Sequence, residues 1–138
     1  MTRFVVCGET LIDLVRSTTE PSTSFRSVWE ALSAGGPMNS AVALGRLGAS
    51  VQFLGRLSED AFGAQLRKHV EAADVGLELA TWSPQATSIA VVSLDEQGVA
   101  SYTFHFDDTA NFGWQPEELP ALDDEDWLHI ASLSCVVS

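Results

Sequence analysis

Two side chains stand out as candidates for binding chemistry. Asp13 is a carboxylate set among four aliphatics in Leu11-Ile12-Asp13-Leu14-Val15, and an ionised carboxylate in apolar company is costly unless something hydrogen-bonds to it. Either it points to solvent from an alternating strand or it serves a ligand. Asn39 follows the side-chain-poor run Ala34-Gly35-Gly36-Pro37-Met38, and its amide carries one carbonyl acceptor and one NH2 donor group, which can bridge neighbouring hydroxyls. Paired glycines let backbone approach a guest with no Cβ in the way, while Pro37 stiffens the turn. The plainer readings stay open: Gly-Gly before a helix is a common turn, and Asn39 and Ser40 are also candidate N-caps.

Other reactive residue types point nowhere in particular. His69, His105 and His129 are widely spread and lack local partners with metal-ligand spacing. The acidic run Asp123-Asp124-Glu125-Asp126 has no alternating Asp-x-Asp-x-Asp-Gly spacing and reads as a solvated loop. No metal site is predicted. Cys7 and Cys135 each lie in an apolar, strand-like run, which predicts two buried free thiols rather than a disulfide.

The elements that must position Asp13 and Asn39 follow from hydrophobic period. Phe4-Val5-Val6-Cys7, ended by Gly8, is a continuous apolar run of the kind that forms a parallel strand buried on both faces. After the glycine loop, Ala41, Ala43 and Gly45 build a closely packing helix whose open N-terminus directs donors and partial positive charge at the loop. Val51-Gln52-Phe53-Leu54-Gly55 is the next strand and completes a βαβ unit. Asp60 is placed to cap a helix from about Ala61 to Ala73, with Phe62, Leu66, Val70 and Ala73 as its apolar stripe.

Further on the period changes. Residues 87–94 and 99–106 read as strands joined by Asp95-Glu96-Gln97-Gly98, with Tyr102, Phe104 and Phe106 on one face and Ser101, Thr103 and His105 on the other. His105 reads as an ordinary polar-face residue. Residues 16–33 are polar and turn-rich, and 127–138 read as a last apolar strand carrying Ser132 and Ser134.

Composition narrows the partners. The 138 residues suffice for one domain with a sizeable core, and 46% of them are hydrophobic. Seven Lys and Arg against 19 Asp and Glu give a net charge of -12, which repels nucleic acid and anionic membrane. That charge also repels nucleotide phosphates, and no basic cluster stands ready to offset it. No run approaches the roughly 20 apolar residues of a membrane span, and Met-Thr-Arg-Phe-Val-Val lacks the long apolar core of a secretion signal. A cytoplasmic location is the default expectation.

The run from Ala34 to Gly48 resembles the first signature of the PfkB, ribokinase-like carbohydrate kinases, carried by Asn39, Ala41, Leu44, Arg46, Leu47 and Gly48. Ala34 stands where that signature has its first glycine, and Gly35-Gly36 keep a glycine pair one place on. Gly8 to Asp13 is similar to the family's Gly-x-x-x-x-Asp segment. Gly55 to Gly63 is similar to another, with Ser58 in place of its middle glycine.

The resemblance implies an α/β fold, Rossmann-like, with a central mostly parallel sheet, flanking helices and a small β-sheet lid, the whole of 1–138 forming the N-terminal part of one kinase domain. Lid segments would fall at about 16–33 and 87–107, and in several members the lid sheet also mediates dimer contact. Asp13, the backbone of Gly35 and Gly36, and Asn39 would bind the sugar, with Phe104, Phe106 and Ser132 bordering the pocket or lid.

Activity would be phosphorylation of a sugar hydroxymethyl group, fructokinase-like, with ATP and Mg2+ as cofactors of the complete enzyme and neither bound by this chain alone. The second family signature, Asp-Thr-x-Gly-Ala-Gly-Asp with its catalytic aspartate, is absent from the sequence. The expectation is therefore a truncated kinase with no catalytic residue of its own, inactive alone. A non-catalytic sugar-binding module and a nucleoside kinase of the same superfamily are the alternatives.

Overall fold

The unbroken apolar run at the N-terminus becomes the middle strand of a parallel sheet, which is where a strand with no polar face has to lie. The computed structural model describes residues 2–136. Its strands are β1 (Arg3–Cys7), β2 (Leu11–Arg16), β3 (Trp29–Ala34), β4 (Val51–Leu54), β5 (Arg56–Ser58), β6 (Thr81–Ser83), β7 (Ile89–Leu94), β8 (Ala100–His105) and β9 (Asp126–Ile130). Helix α1 (Gly36–Arg46) lies between β3 and β4, and α2 (Ala61–Glu71) between β5 and β6.

β1 is flanked by β4 on one side and β9 on the other, all parallel. Helix α1 carries the chain to β4, and its inner residues Met38, Ala41 and Val42 join Val6, Val51 and Phe53 in the core. Phe62, Leu66, Val70 and Ala73 pack there too, as their spacing predicts, although α2 itself stops at Glu71. Asp60 caps α2, its Oδ1 accepting the Gly63 N–H at 2.8 Å. It also accepts the Thr87 N–H at 2.8 Å and the Thr87 hydroxyl at 2.6 Å, so one carboxylate joins a helix start to the entry of β7.

A second sheet, in the order β3-β2-β7-β8, stands beside the first. β2 and β7 are parallel and the outer pairs antiparallel. Its strands include Leu11–Arg16 as well as parts of the 16–33 and 87–107 segments, because Leu11–Arg16 finds a full-length partner in Trp29–Ala34. Asp13 therefore belongs to this sheet and not to the central one. Asn111 ties the sheet's base together: its amide donates to the Thr10 carbonyl at 2.6 Å and the Ser88 hydroxyl at 2.9 Å, and its oxygen accepts the Thr10 N–H at 3.3 Å.

Three expectations need correction. Asn39 and Ser40 do not cap α1, which already starts at Gly36 with Gly35 as its N-cap. Pro37 sits in the first turn, where its fixed φ suits a helix and its missing N–H costs nothing. The last apolar strand ends at Ile130, not at 138, and the chain turns through a short 3-10 segment, Leu133–Cys135. Val137 and Ser138 lie outside the described residues. Cys135 is consequently exposed, while Cys7 is half-buried and both are free.

Asp126 also leaves the acidic loop to open β9. Its carboxylate takes the Arg3 guanidinium at 2.9 and 2.6 Å, opposite the residue with which it is in register, and that contact holds its carboxyl below the usual range. β9 is the outer strand of the central sheet, with Trp127, Leu128 and Ile130 open to solvent.

Candidate functional site

β1 is the point at which the central sheet divides, with β4 reached on one side and β9 on the other. Ligands of open α/β sheets bind off the carboxyl ends of the strands at such a point. Three pieces of chain meet there: Gly8-Glu9-Thr10 after β1, the Gly35-Gly36 start of α1, and Ala131–Ser134 after β9. Gly8 is what lets them meet, because a Cβ there would lie 1.8 Å from the Ala131 carbonyl oxygen and 2.3 Å from the Pro37 ring.

The second sheet supplies the facing wall. Strand register puts Leu32, Asp13, Ala90 and Phe104 in one row across β3, β2, β7 and β8. Between this row and the three chain ends lies a hollow of about 270 Å³, walled by Asp13, Ala90, Tyr102 and Phe104 on the sheet side. Gly35, Gly36, Glu9, Ser132 and Leu133 face them. The space lies just below the roughly 300–1,000 Å³ of drug-sized pockets, which suits one monosaccharide-sized guest.

Its polar equipment is sparse and one-sided. The Asp13 carboxylate is partly buried and has no hydrogen-bond partner among the described residues, and burial pushes its carboxyl above the usual range. No side chain caps α1, so its first-turn N–H groups carry the helix's partial positive charge toward the loop. Neither Lys nor Arg lines the hollow. A guest here is met by carboxylate and hydroxyl oxygens plus a few backbone donors, a set that fits an uncharged polyol and repels a phosphorylated one.

Of the residues singled out from sequence, Asp13, Gly35, Gly36, Phe104 and Ser132 come together in this hollow. Asn39 does not line it. One turn into α1, its N–H bonded to the Gly35 carbonyl at 2.9 Å, it is exposed beside the hollow. Phe106 lies past the end of β8, 4.9 Å from Phe104 and 5.0 Å from Phe112 by ring centroids, and borders a different depression with Gln85, Asp107 and Asp108. Tyr102 takes the place expected of it, on the same face of β8 as Phe104 with ring centroids 6.0 Å apart.

Glu9 was the residue with no sequence-based role. It is 1% exposed. Burial alone would push its carboxyl up, but hydrogen bonds from Ser132 and Ser134 outweigh that and hold it below the usual range. A charged residue between two apolar runs, directly after a glycine, was the available signal.

The class of protein is defined by the fold, which two solved structures share. Fructokinase from Xylella fastidiosa with bound ATP is 29% identical, with a TM-score of 0.77 over 86% of this chain and 37% of that one. Fructokinase from Vibrio cholerae O395 in a form with bound fructose, ADP and calcium ion is 28% identical, with a TM-score of 0.72 over 94% of this chain and 40% of that one. The fold is that of the ribokinase-like kinases, as the sequence led one to expect, in its N-terminal portion. The pfkB family carbohydrate kinase model matches residues 1–138, and the chain belongs to that family. A fructokinase of Vibrio alginolyticus is 33% identical over 135 residues, 97% of this chain and 42% of the relative. The chain thus spans about two fifths of the length of such relatives.

Proposed function

We propose that this chain forms the sugar-binding part of a fructokinase-like enzyme, one that transfers a phosphoryl group from ATP, with Mg2+, to a hydroxymethyl group of its sugar. The observation that carries the reading is the Asp13 carboxylate, without a hydrogen-bond partner among the described residues, facing a monosaccharide-sized hollow beside a helix start that no side chain caps. A partly buried carboxylate without protein donors gains from hydrogen bonds brought by a guest, and the hydroxyls of a bound sugar supply them. The identity with fructokinases supports fructose over other sugars.

The residues present do not suit a triphosphate, since the hollow has no basic lining. Three arginines are paired elsewhere, Arg3 with Asp126, Arg56 with Glu118 and Arg67 with Glu71. ATP and Mg2+ in this reading are cofactors of the complete kinase, and this chain's part is to bind and orient the sugar. Asn39 is assigned to the rim, where its amide can reach a sugar hydroxyl that extends beyond the hollow. No helix among the described residues is long and apolar enough to cross a membrane, in keeping with a cytoplasmic sugar kinase. The aromatic face of the second sheet, with Tyr102 56% and Phe104 52% exposed, is further assigned to contact with a second copy.

The test is a ligand-observed NMR titration of the protein with D-fructose, D-ribose, 2-keto-3-deoxygluconate and adenosine. Saturable fructose binding that weakens tenfold or more in Asp13→Asn supports the reading. Preference for adenosine moves the protein to the nucleoside kinases, and binding unaffected by Asp13→Asn removes the site assignment.

A further inference from the structure

We infer that Glu9 is a positioning residue of this hollow: its carboxylate holds the 132–134 turn against the start of α1 and turns the Ser132 hydroxyl into a pure acceptor for the guest. The inference rests on reading the hollow as a sugar site.

Five donors converge on Glu9. The Ser132 hydroxyl reaches it at 2.7 Å, the Ser132 N–H at 3.1 Å and the Leu133 N–H at 3.3 Å. The Ser134 N–H and hydroxyl reach it at 3.2 and 3.1 Å. A carboxylate can only accept, and hydrogen bonds hold Glu9 in that form. The direction of each bond is therefore set. The Ser132 proton is committed to Glu9, so the lone pairs of its oxygen are what remain for a guest.

That oxygen is well placed to use them. It lies 3.5 Å from where a Cβ on Gly36 would be, so the hydroxyl and the glycine backbone form one side of the hollow while Asp13 forms another. Acceptors on two sides demand a guest that donates from two hydroxyls. A turn held by any weaker acceptor would let Ser132 rotate and lose that selectivity. Glutamine has the same shape, yet its NH2 would confront donors on whichever side it faced, since both carboxylate oxygens are engaged by N–H and O–H groups.

The experiment compares the unmodified chain with Glu9→Gln and Ser134→Ala. Ser134 does not line the hollow, and its hydroxyl meets Glu9 at 3.1 Å and, at a longer 3.4 Å, the Ala131 carbonyl, so its loss reaches the hollow through the turn that Glu9 holds. Fructose affinity is read by ligand-observed NMR, amide exchange at Ser132, Leu133 and Ser134 by heteronuclear NMR, and thermal midpoint by circular dichroism. The expected result is fructose binding weakened at least tenfold in Glu9→Gln and about threefold in Ser134→Ala, with faster exchange at the three amides in protein that remains folded.

A role in folding alone would lower the midpoint and leave the affinity of the folded protein unchanged, which overturns the inference. Should Glu9→Gln not fold, Ser134→Ala decides: affinity within the error of the unmodified chain overturns it. If the unmodified chain binds no sugar, the sugar reading falls by itself. Exchange then judges Glu9, and unchanged protection at the three amides in Glu9→Gln overturns its hold on the turn.

Discussion

Gly35 lies so close over Glu9 that a Cβ on it would stand 2.6 Å from the Glu9 carbonyl oxygen, and its φ is 127°. Both the close approach and the backbone angle demand glycine. Gly35→Ala should therefore cost at least the roughly 1–3 kcal/mol of a strained backbone, a fall of several degrees or more in thermal midpoint. Gly36→Ala is the control, because a Cβ there meets only the Ser132 oxygen at an ordinary 3.5 Å. It should keep the midpoint and weaken sugar binding by narrowing the hollow. Differential scanning calorimetry with a fructose titration checks both.

Asp13 should trade stability for binding. Burial raises its carboxyl above the usual range in the folded state, so the folded chain holds that proton more tightly than the unfolded chain. Stability from this group falls as pH rises from the ordinary aspartate value, about 3.9, through its higher folded value. Asp13→Asn should consequently unfold at the same temperature or higher at pH 7 while losing sugar affinity. A lower midpoint for the asparagine variant at pH 7 would contradict that account.

Asp60 has the opposite sign. Burial works against its anion, but the Thr87 hydroxyl and N–H and the Gly63 N–H hold its carboxyl below the usual range. Its contribution is complete above the ordinary aspartate value and lost as pH falls through the lower folded one. Asp60→Ala removes a helix cap, worth about 1 kcal/mol, and the two Thr87 bonds besides. We expect a midpoint several degrees lower at pH 7, and a difference from the unmodified chain that shrinks in acid below the folded value.

Self-association should depend on the outer end of the second sheet. Leu94 is half-exposed on β7, on the same face as Ala90 and Val92, and does not line the hollow. If two copies meet on this face, Leu94→Lys lowers the dimer fraction in sedimentation velocity at matched concentration and leaves fructose affinity alone. An unchanged sedimentation profile from a dimeric parent would place the contact elsewhere.

What could be read from sequence was set by period and by punctuation. β1, β4 and the stripe of α2 were legible because an apolar run or a helical spacing leaves one way to bury them, and Asp60 because a carboxylate just before a helix has one obvious task. The start of α1 was placed four or five residues late, since its N-cap is Gly35. Asn39 and Ser40 look like caps, but proline pulled the first turn forward, and Ser40 instead returns its hydroxyl to the Gly36 carbonyl at 3.1 Å. Residues after Ile130 kept an apolar composition while Ser132 and Ser134 were drawn to a carboxylate more than 120 residues away in sequence, a contact no local pattern encodes. Glu9 was hidden for the same reason. Phe106 shows the limit of face-counting, since alternation holds only while the strand lasts and β8 stops one residue earlier.

β9 gives the isolated chain a tendency of its own. Among the described residues its outer main-chain groups find no neighbouring strand, and Trp127 and Ile130 are 67% and 57% exposed. A greasy ribbon with a vacant ladder recruits its like from other molecules. Concentrated samples should cloud above a threshold, with tryptophan emission moving to the blue as they do, and an added charge on that ribbon should raise the threshold.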